Sequence, residues 1–518
     1  MSERIPPELL HPEHRFFLDY VRSDGSAVRF FEHPPTALEA AADAPRSIDR
    51  SRQPLVALLR AYNERLGASP STLSNIDALA EPETLCVLGG QQAGFLGGPL
   101  LTAYKIRAVV RTARRFSARI RRRVVPIFWL ATEDHDFSEI NRIRYLDAAG
   151  DVQTISFDWD GRGRPIEDLP ITVDVRTAFD SAMELLPHDA ESTRALLAPV
   201  RSDDYGTWHA RIWSRLFADH GLIVIEPRTV RSLAGPFFAE ALASTEAIRG
   251  ALREASAELR ADGYPPPMDP EQVGGLFALD DGRVRIDDPS RHAARAAEAP
   301  ERYSPDAVLR PLLADALFPT LANVLGPSEI AYHALLRPLY RLFDRPQPLA
   351  LPRLGYTVLD GRQASLLERC GLTVADLFAE GFDPAQATRD SASPELLARF
   401  AERKASVRAA LEPLVSPLEQ LDPGLPARWN QTADRIEQQL EQLEERAVRV
   451  DLARRGISLR ELRRVLVEIL PTGRPQERVL SLLHVAIRHG LRWILDLESS
   501  AKPGEYAHEV LTLGETDA

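Results

Sequence analysis

Only two cysteines, Cys86 and Cys370, occur in 518 residues. A secreted protein of this length held by disulfides would carry more, so a reducing compartment is expected. No run of about 18 apolar residues occurs, which excludes an obvious membrane-spanning helix. The opening stretch, Met1-Ser2-Glu3-Arg4-Ile5-Pro6-Pro7, lacks the apolar segment of a signal peptide. Basic charge is not in excess either: 63 Lys and Arg stand against 75 Asp and Glu, a formal net charge of -12. An extended nucleic-acid footprint needs a basic face, so that partner is excluded as well. These absences point to a cytoplasmic protein with neither membrane nor nucleic acid as partner. One stretch runs against the overall charge: Arg111, Arg114, Arg115, Arg119, Arg121, Arg122 and Arg123. It reads either as a solvated helix face or as a basic patch that draws an anionic substrate.

With 44% hydrophobic residues, the chain can bury ordinary cores, and its length suggests two to four structural units. Residues 1–80 read as mostly helical, with Leu55, Leu58, Leu59 and Tyr62 at helical spacing. A short apolar run, Thr84 to Leu88, then feeds a glycine-rich turn from Gly89 to Gly98, and Pro99 suits the first turn of a helix reaching about Phe116. A second apolar run, Val124 to Leu130, ends in Thr132-Glu133-Asp134-His135-Asp136. Strand, loop, helix, strand is a βαβ unit with both strands covered on two faces. Further strands are expected at Leu222–Ile225, before Gly326-Pro327-Ser328-Glu329, and at Pro348–Leu351 ahead of Arg353. Polar groups therefore gather where parallel strands end, which is where ligands bind in open α/β sheets. Insertions fall at about 150–205, with a strand from Val152 to Trp159, and at about 235–300, with a hairpin through Asp280-Asp281-Gly282.

From Pro394 the pattern changes to heptads. Leu397, Phe400, Lys404, Val407, Leu411, Leu414, Leu418 and Leu421 alternate spacings of three and four. Past Asp422-Pro423-Gly424 the seam resumes at Trp429, Ala433, Ile436, Leu440, Leu443, Ala447 and Val450. Two such helices joined by a turn make an antiparallel coiled coil. Pro413 and Pro417 predict a kink in the first. The expected division is a catalytic core over 1–393, the coiled coil over 394–465, and a segment over 466–518 that packs back on the core.

Two loops carry the candidate chemistry. Glycines such as Gly90 and Gly94 permit close backbone approach, and the helix that follows would aim free N–H groups at an anion. Gln91 and Gln92 add amide donors and acceptors; Lys105, two turns into the helix, reads as surface or as a cation for the ligand. The pattern matches neither the dinucleotide fingerprint nor the Walker A motif. In the second loop, persistence of the strand would set Glu133 and His135 on one side and Asp134 and Asp136 on the other. Three carboxylates so close would raise one another's pKa or hold a cation such as Mg²⁺, with His135 as a general base toward an amine. The plainer reading is an acidic loop in which Asp136 caps the next helix. Gly326 to Glu329 offers another helix start. Arg353 ends a strand, and Arg474, Gln476 and Arg478 lie in a polar loop.

Several of these segments together resemble the bacillithiol-biosynthesis cysteine-adding enzyme (BshC, cysteine ligase) family. They are Gly89-Gly90-Gln91-Gln92-Ala93-Gly94-Phe95-Leu96-Gly97-Gly98-Pro99 with Tyr104-Lys105, Pro126 to Phe137, Leu309-Arg310-Pro311-Leu312, Gly326 to Tyr332, and Gly473 to Arg478. The resemblance runs from about residue 10 to 500. It implies a Rossmann-like, nucleotidyltransferase-type parallel sheet with connecting insertions, plus an antiparallel α-helical coiled coil used for homodimers. It also implies amide formation between L-cysteine and glucosaminyl-malate, the last step of bacillithiol synthesis. In that reaction cysteine's carboxylate must be activated, with ATP a candidate energy source and Mg²⁺ a candidate ion. Arg310, Arg353, Arg474 or Lys105 would neutralise malate or phosphate charge, Glu133 or Asp136 would grip an ammonium, and His135 would take the proton of the attacking amine. The rival readings are a nucleotidyltransferase or amino-acid-activating synthetase for another acid, and a non-enzymatic coiled-coil scaffold.

Overall fold

The computed structural model describes residues 3–22, 26–44, 52–161, 163–280 and 282–514. Asp281, part of the expected hairpin turn, lies outside them, although strands Leu276–Ala278 and Val284–Arg285 pair on either side of it. The chain divides into two compact units: Ser2–Thr357 with Arg474–Glu509, and Val358–Gly473 with the last strand residues from Val510. The boundary thus falls at residue 358, ahead of the first heptad helix.

The first unit is built on a five-stranded sheet. Its strands are β1 (Leu85–Gln91), β2 (Val124–Leu130), β3 (Ile223–Ile225), β4 (Thr320–Leu325) and β5 (Leu349–Pro352), in spatial order β5-β4-β1-β2-β3, all parallel. Alternation along β1 explains why it reads as a continuous apolar run. Cys86 and Leu88 face one core with Ile127, Trp129 and Ile225, while Leu85 and Val87 face another with Val109 and Phe116 of helix α1 (Leu100–Ile120). Both faces are covered, so both parities must be apolar. From β1 the chain steps outward to β2 and β3, then returns to the other side of β1 for β4 and β5. The direction therefore reverses between β1 and β4, and the crevice at the C-terminal ends of those two strands is the topological switch point.

The arginine-rich stretch at the end of α1 divides: Arg114, Arg119, Arg121 and Arg123 are exposed, as a solvated face expects, while Arg111 and Arg115 turn inward. Arg111 is 4% exposed and donates to the carbonyls of Ser499 and Ala501, Arg115 bonds the same two carbonyls, and Arg119 pairs with Glu39. Arg111 and Arg115 thereby hold the segment around Ser499–Ala501 against α1.

The second unit holds the coiled coil. Helix α2 (Pro394–Leu411) breaks at a single 3-10 turn, Glu412–Leu414, where Pro413 removes a backbone donor; a short helix continues to Leu421. After the turn, α3 (Leu425–Arg454) runs back. Lys404, a polar residue in the apolar seam, ion-pairs with Glu444 of α3, which also receives Arg389 at 3.4 Å. Trp429 Nε1 donates to the Leu411 carbonyl at 3.1 Å, tying α3 to the end of α2 beside the break. No described helix is long and apolar enough to cross a membrane.

Candidate functional site

The glycine loop is a packing device before it is anything else. A Cβ on Gly94 would stand 2.7 Å from the Gly98 Cα, and Gly98 holds a φ of 67° that side chains rarely adopt. Several of its amides are already spent within the protein. Gly94 N bonds Gln92 O, Gly97 N bonds Gly94 O, Gly98 N bonds Phe95 O, Leu96 N bonds His209 Nε2, and the first helical amide, Leu100 N, bonds Leu480 O. The expected N–H cradle is thus narrowed to few amides, Leu101 N at the start of α1 among them, whose residue borders the cleft. The loop's larger offer to a ligand is side chains.

Those side chains form a directed chain across the switch point. Lys105 is not on the surface: its side chain is 2% exposed, and Nζ donates to Gly90 O at 2.9 Å, Gln91 Oε1 at 2.9 Å and Glu329 Oε2 at 2.6 Å. Three protons meet three acceptors, so Lys105 has none left for a substrate. Burial lowers its pKa and Glu329 raises it. Gln91 Nε2 then donates to Gln92 Oε1 at 2.8 Å, and Gln92 Nε2 donates to Glu139 Oε2 at 2.5 Å and more weakly to Asp134 Oδ2 at 3.4 Å. Glu329 also accepts from Gly326 N at 2.6 Å, so the entry to the short helix Pro327–His333 is held by the helix's own carboxylate.

Around this chain lie two adjoining compartments. The first, about 390 Å³, is walled by Gly90, Gln91, Gln92, Lys105, Asp134, Glu139, Arg310, Gly326, Glu329, Tyr332, Arg353 and Arg478. The second, about 420 Å³, is walled by Gln91, Gln92, Gly94, Glu139, Arg142, Arg144, Arg474, Arg478 and Ser481 among others. Gln91, Gln92, Glu139 and Arg478 border both, so Glu139 stands at the junction. Glu139 keeps solvent access, yet the surrounding protein and then Asp136 and Asp134 raise its pKa above the usual carboxylate range. Arg310 donates to Tyr332 Oη at 3.2 Å and, among the described residues, makes no ion pair. With Arg478 it gives the first compartment open positive charge, which fits a phosphate or carboxylate. No group of three or more His, Cys, Asp or Glu among the described residues could hold a metal ion.

Four predicted residues do not border either compartment. Strand β2 ends at Leu130, so the alternation expected for the acidic loop does not persist. Glu133 turns inward, 3% exposed, toward Arg231, Arg283 and Arg310; burial outweighs those cations and lifts its pKa to about 7. Its Oε2 has no hydrogen-bond partner. Asp136 caps the turn Phe137–Ile140 by accepting from Ser138 N at 3.1 Å. Gln476 is buried at 1% exposure. His135 is exposed, and its Nδ1 lies 3.1 Å from Arg283 Nη1. A guanidinium only donates, so Nδ1 carries the lone pair and the ring hydrogen sits on Nε2. Arg283 is locked for this contact by Ser304 Oγ at 3.1 Å, the Pro305 carbonyl at 2.8 Å and the Phe277 ring 4.1 Å below. Arg353 borders the first compartment but is committed to Glu477.

Glu139, Arg142, Arg144 and Arg283 went unread in the sequence. Arg142 and Arg144 had a signal: two arginines two apart in the strand Arg142–Leu146 share a face.

Glu133 gives a measurable consequence. Its folded pKa of about 7 exceeds the ordinary carboxylate value, so the folded state holds the proton more tightly and stability falls as pH rises from about 4.3 to 7. Glu133→Gln should leave stability near wild type at about pH 4 and raise it by up to roughly 3 kcal/mol at pH 8. Urea unfolding at both pH values reads this; a difference that does not change with pH would show that Glu133 titrates normally.

Two family models match the chain: the bacillithiol biosynthesis BshC N-terminal Rossmann-like domain over residues 8–354, and the BshC C-terminal coiled-coil domain over 356–513. Similar proteins carry the name "Putative cysteine ligase BshC". One from Geobacillus thermodenitrificans is 31% identical over 89% of this chain and 90% of its own length. One from Salinibacter ruber is 29% identical over 98% of both, and one from Solibacter usitatus is 30% identical over 92% and 93%.

Proposed function

The chain belongs to the bacillithiol biosynthesis BshC family, and from that premise we propose that it is a cytoplasmic ligase joining the carboxyl carbon of L-cysteine to the amine of glucosaminyl-malate, the last step of bacillithiol synthesis. The observation that carries this reading is the junction: a carboxylate of raised pKa, Glu139, beside Asp134, between two compartments that each hold uncommitted arginines. Amide formation needs that arrangement. The amine arrives as an ammonium and must lose a proton before it attacks, and a carboxylate with raised proton affinity can both hold it and take that proton. Asp134 supplies a second negative group to fix the ammonium. The base is therefore placed at Glu139, because the fixed tautomer of His135 presents an N–H at Nε2.

The other half of the reaction needs a leaving group, since oxide is a poor one. ATP is the proposed source of an acyl phosphate or adenylate of cysteine. Arg310 faces the first compartment with donors to spare and would bind the oxyanions of such a group. Lys105 and Glu329 act beneath it by fixing Gln91 and Gln92, whose amides orient Glu139.

Incubating the protein with cysteine, glucosaminyl-malate and ATP should yield the product mass of cysteine plus glucosaminyl-malate less one water, and omission of ATP should abolish it. No product under any energy source would end this reading. Homodimer formation through the coiled coil belongs to the same proposal. Leu414, Leu421, Leu443 and Val450 on that arm are 50%, 78%, 56% and 49% exposed, an apolar set for a second copy to cover. Sedimentation should give twice the chain mass, and Leu421→Glu with Leu443→Glu should return it to the monomer.

A further inference from the structure

The second compartment is electrically uncompensated. Arg142, Arg144, Arg474 and Arg478 border it against one carboxylate, Glu139, in a chain whose net charge is -12. Arg142 is held by Asn141 Oδ1 at 3.1 Å and the Ser138 carbonyl at 3.0 Å. Among the described residues, the guanidinium groups of Arg144, Arg474 and Arg478 have no hydrogen-bonded or ion-paired side chain. Burial and then Arg353 and Arg474 lower the pKa of Arg478, and Glu477 and Glu13, neither of which borders the compartment, offset this only in part. The walls are nevertheless built. Ser481 N donates to the Arg144 carbonyl at 2.9 Å, Leu482 N to the Gly98 carbonyl at 3.1 Å, and Arg353 with Glu477 pins the turn that carries Arg478. Like charges held together on a fixed scaffold need an anion.

From this we propose that the second compartment is a dicarboxylate subsite, with Arg144 on one wall and Arg474 and Arg478 on the other each taking a carboxylate. The inference rests on the ligase reading and deepens it: the substrate's amine would sit at Glu139 and its malate end would extend past that junction into the arginines. Two oxyanions of nucleotide phosphate share this chemistry. Guanidinium forks match planar carboxylates in two-point contacts, which favours the dicarboxylate.

Binding of L-malate to the full-length chain, read by calorimetry, tests the subsite without turnover. Wild type should bind it, and Arg144→Met and Arg474→Met should each weaken binding by roughly 10- to 100-fold, the loss of one charge-assisted pair. Pyrophosphate is the second probe. In the turnover assay the same variants should raise KM for glucosaminyl-malate by a similar factor and leave KM for cysteine unchanged. Arg474 is exposed, so its variant guards against a folding defect at Arg144. Malate affinity unchanged in both variants, or no malate binding, overturns the subsite. So does pyrophosphate binding that falls while malate binding does not, which would assign the arginines to a nucleotide. If malate binding behaves as expected but no ligation product forms, the subsite stands and the ligase reading falls; if product forms with malate binding insensitive to both arginines, the reverse holds.

Discussion

Replacing Arg353 with methionine is expected to destabilise the protein by about 3–5 kcal/mol, the cost of leaving a buried carboxylate without its partner. Arg353 and Glu477 are 5% and 2% exposed, and the guanidinium meets both carboxylate oxygens, one at 2.9 Å. Glu477→Gln should cost a similar amount by stranding the cation. A double variant, Arg353→Met with Glu477→Leu, should recover most of the loss, because two apolar groups leave nothing unpaired. Burial alone would raise the pKa of Glu477, but Arg353 pulls it down to about 2. Its folded pKa lies below the ordinary value, so this contribution is complete above about pH 4.3 and is lost as pH falls toward 2. Acid unfolding of wild type should steepen in that window, and the double variant should lack the step. The same pair positions Arg478, so substrate affinity should fall in each single variant even at low denaturant.

Glu139→Gln is expected to lower kcat by about 10²- to 10⁴-fold, the usual worth of a positioned general base. The substitution keeps the hydrogen bond with Gln92 available and removes only the proton acceptor, so stability should change little. Wild-type kcat/KM should rise with pH through a pKa above the usual carboxylate range, reflecting burial of Glu139 and the charges of Asp136 and Asp134. The variant should lose that limb. Asp134→Asn should act mainly on the ammonium's affinity and keep the limb, moved to lower pH by the loss of one neighbouring charge. A Glu139→Gln enzyme with unchanged turnover would move the base elsewhere.

The sheet was legible because each central strand is apolar on both faces: Leu85 to Leu88 and Val124 to Leu130 can be little else. The coiled coil was legible because its seam repeats over many turns, Pro413 included as a break. The glycine loop was read too broadly for a physical reason. Glycine that lets a ligand approach and glycine that lets Gly94 touch Gly98 have the same composition, and only the partners of the amides tell them apart. Lys105 was ambiguous because nothing near it in sequence announces Glu329, which lies 224 positions away. Arg353 and Glu477, 124 positions apart, pose the same difficulty. Long-range ion pairs leave no local pattern. Glu139 was hidden by the acidic loop before it, whose members turn out to divide their work: Glu133 is buried, Asp136 caps, and only Asp134 borders the cleft.

Crystals grown with glucosaminyl-malate test the central claim most directly, by where its amine nitrogen lies. The account places that nitrogen within hydrogen-bonding reach, about 3 Å, of the Glu139 or Asp134 carboxylate at the junction of the two compartments. A bound substrate whose amine points away from both, with Glu139 touching only Gln92, would contradict it.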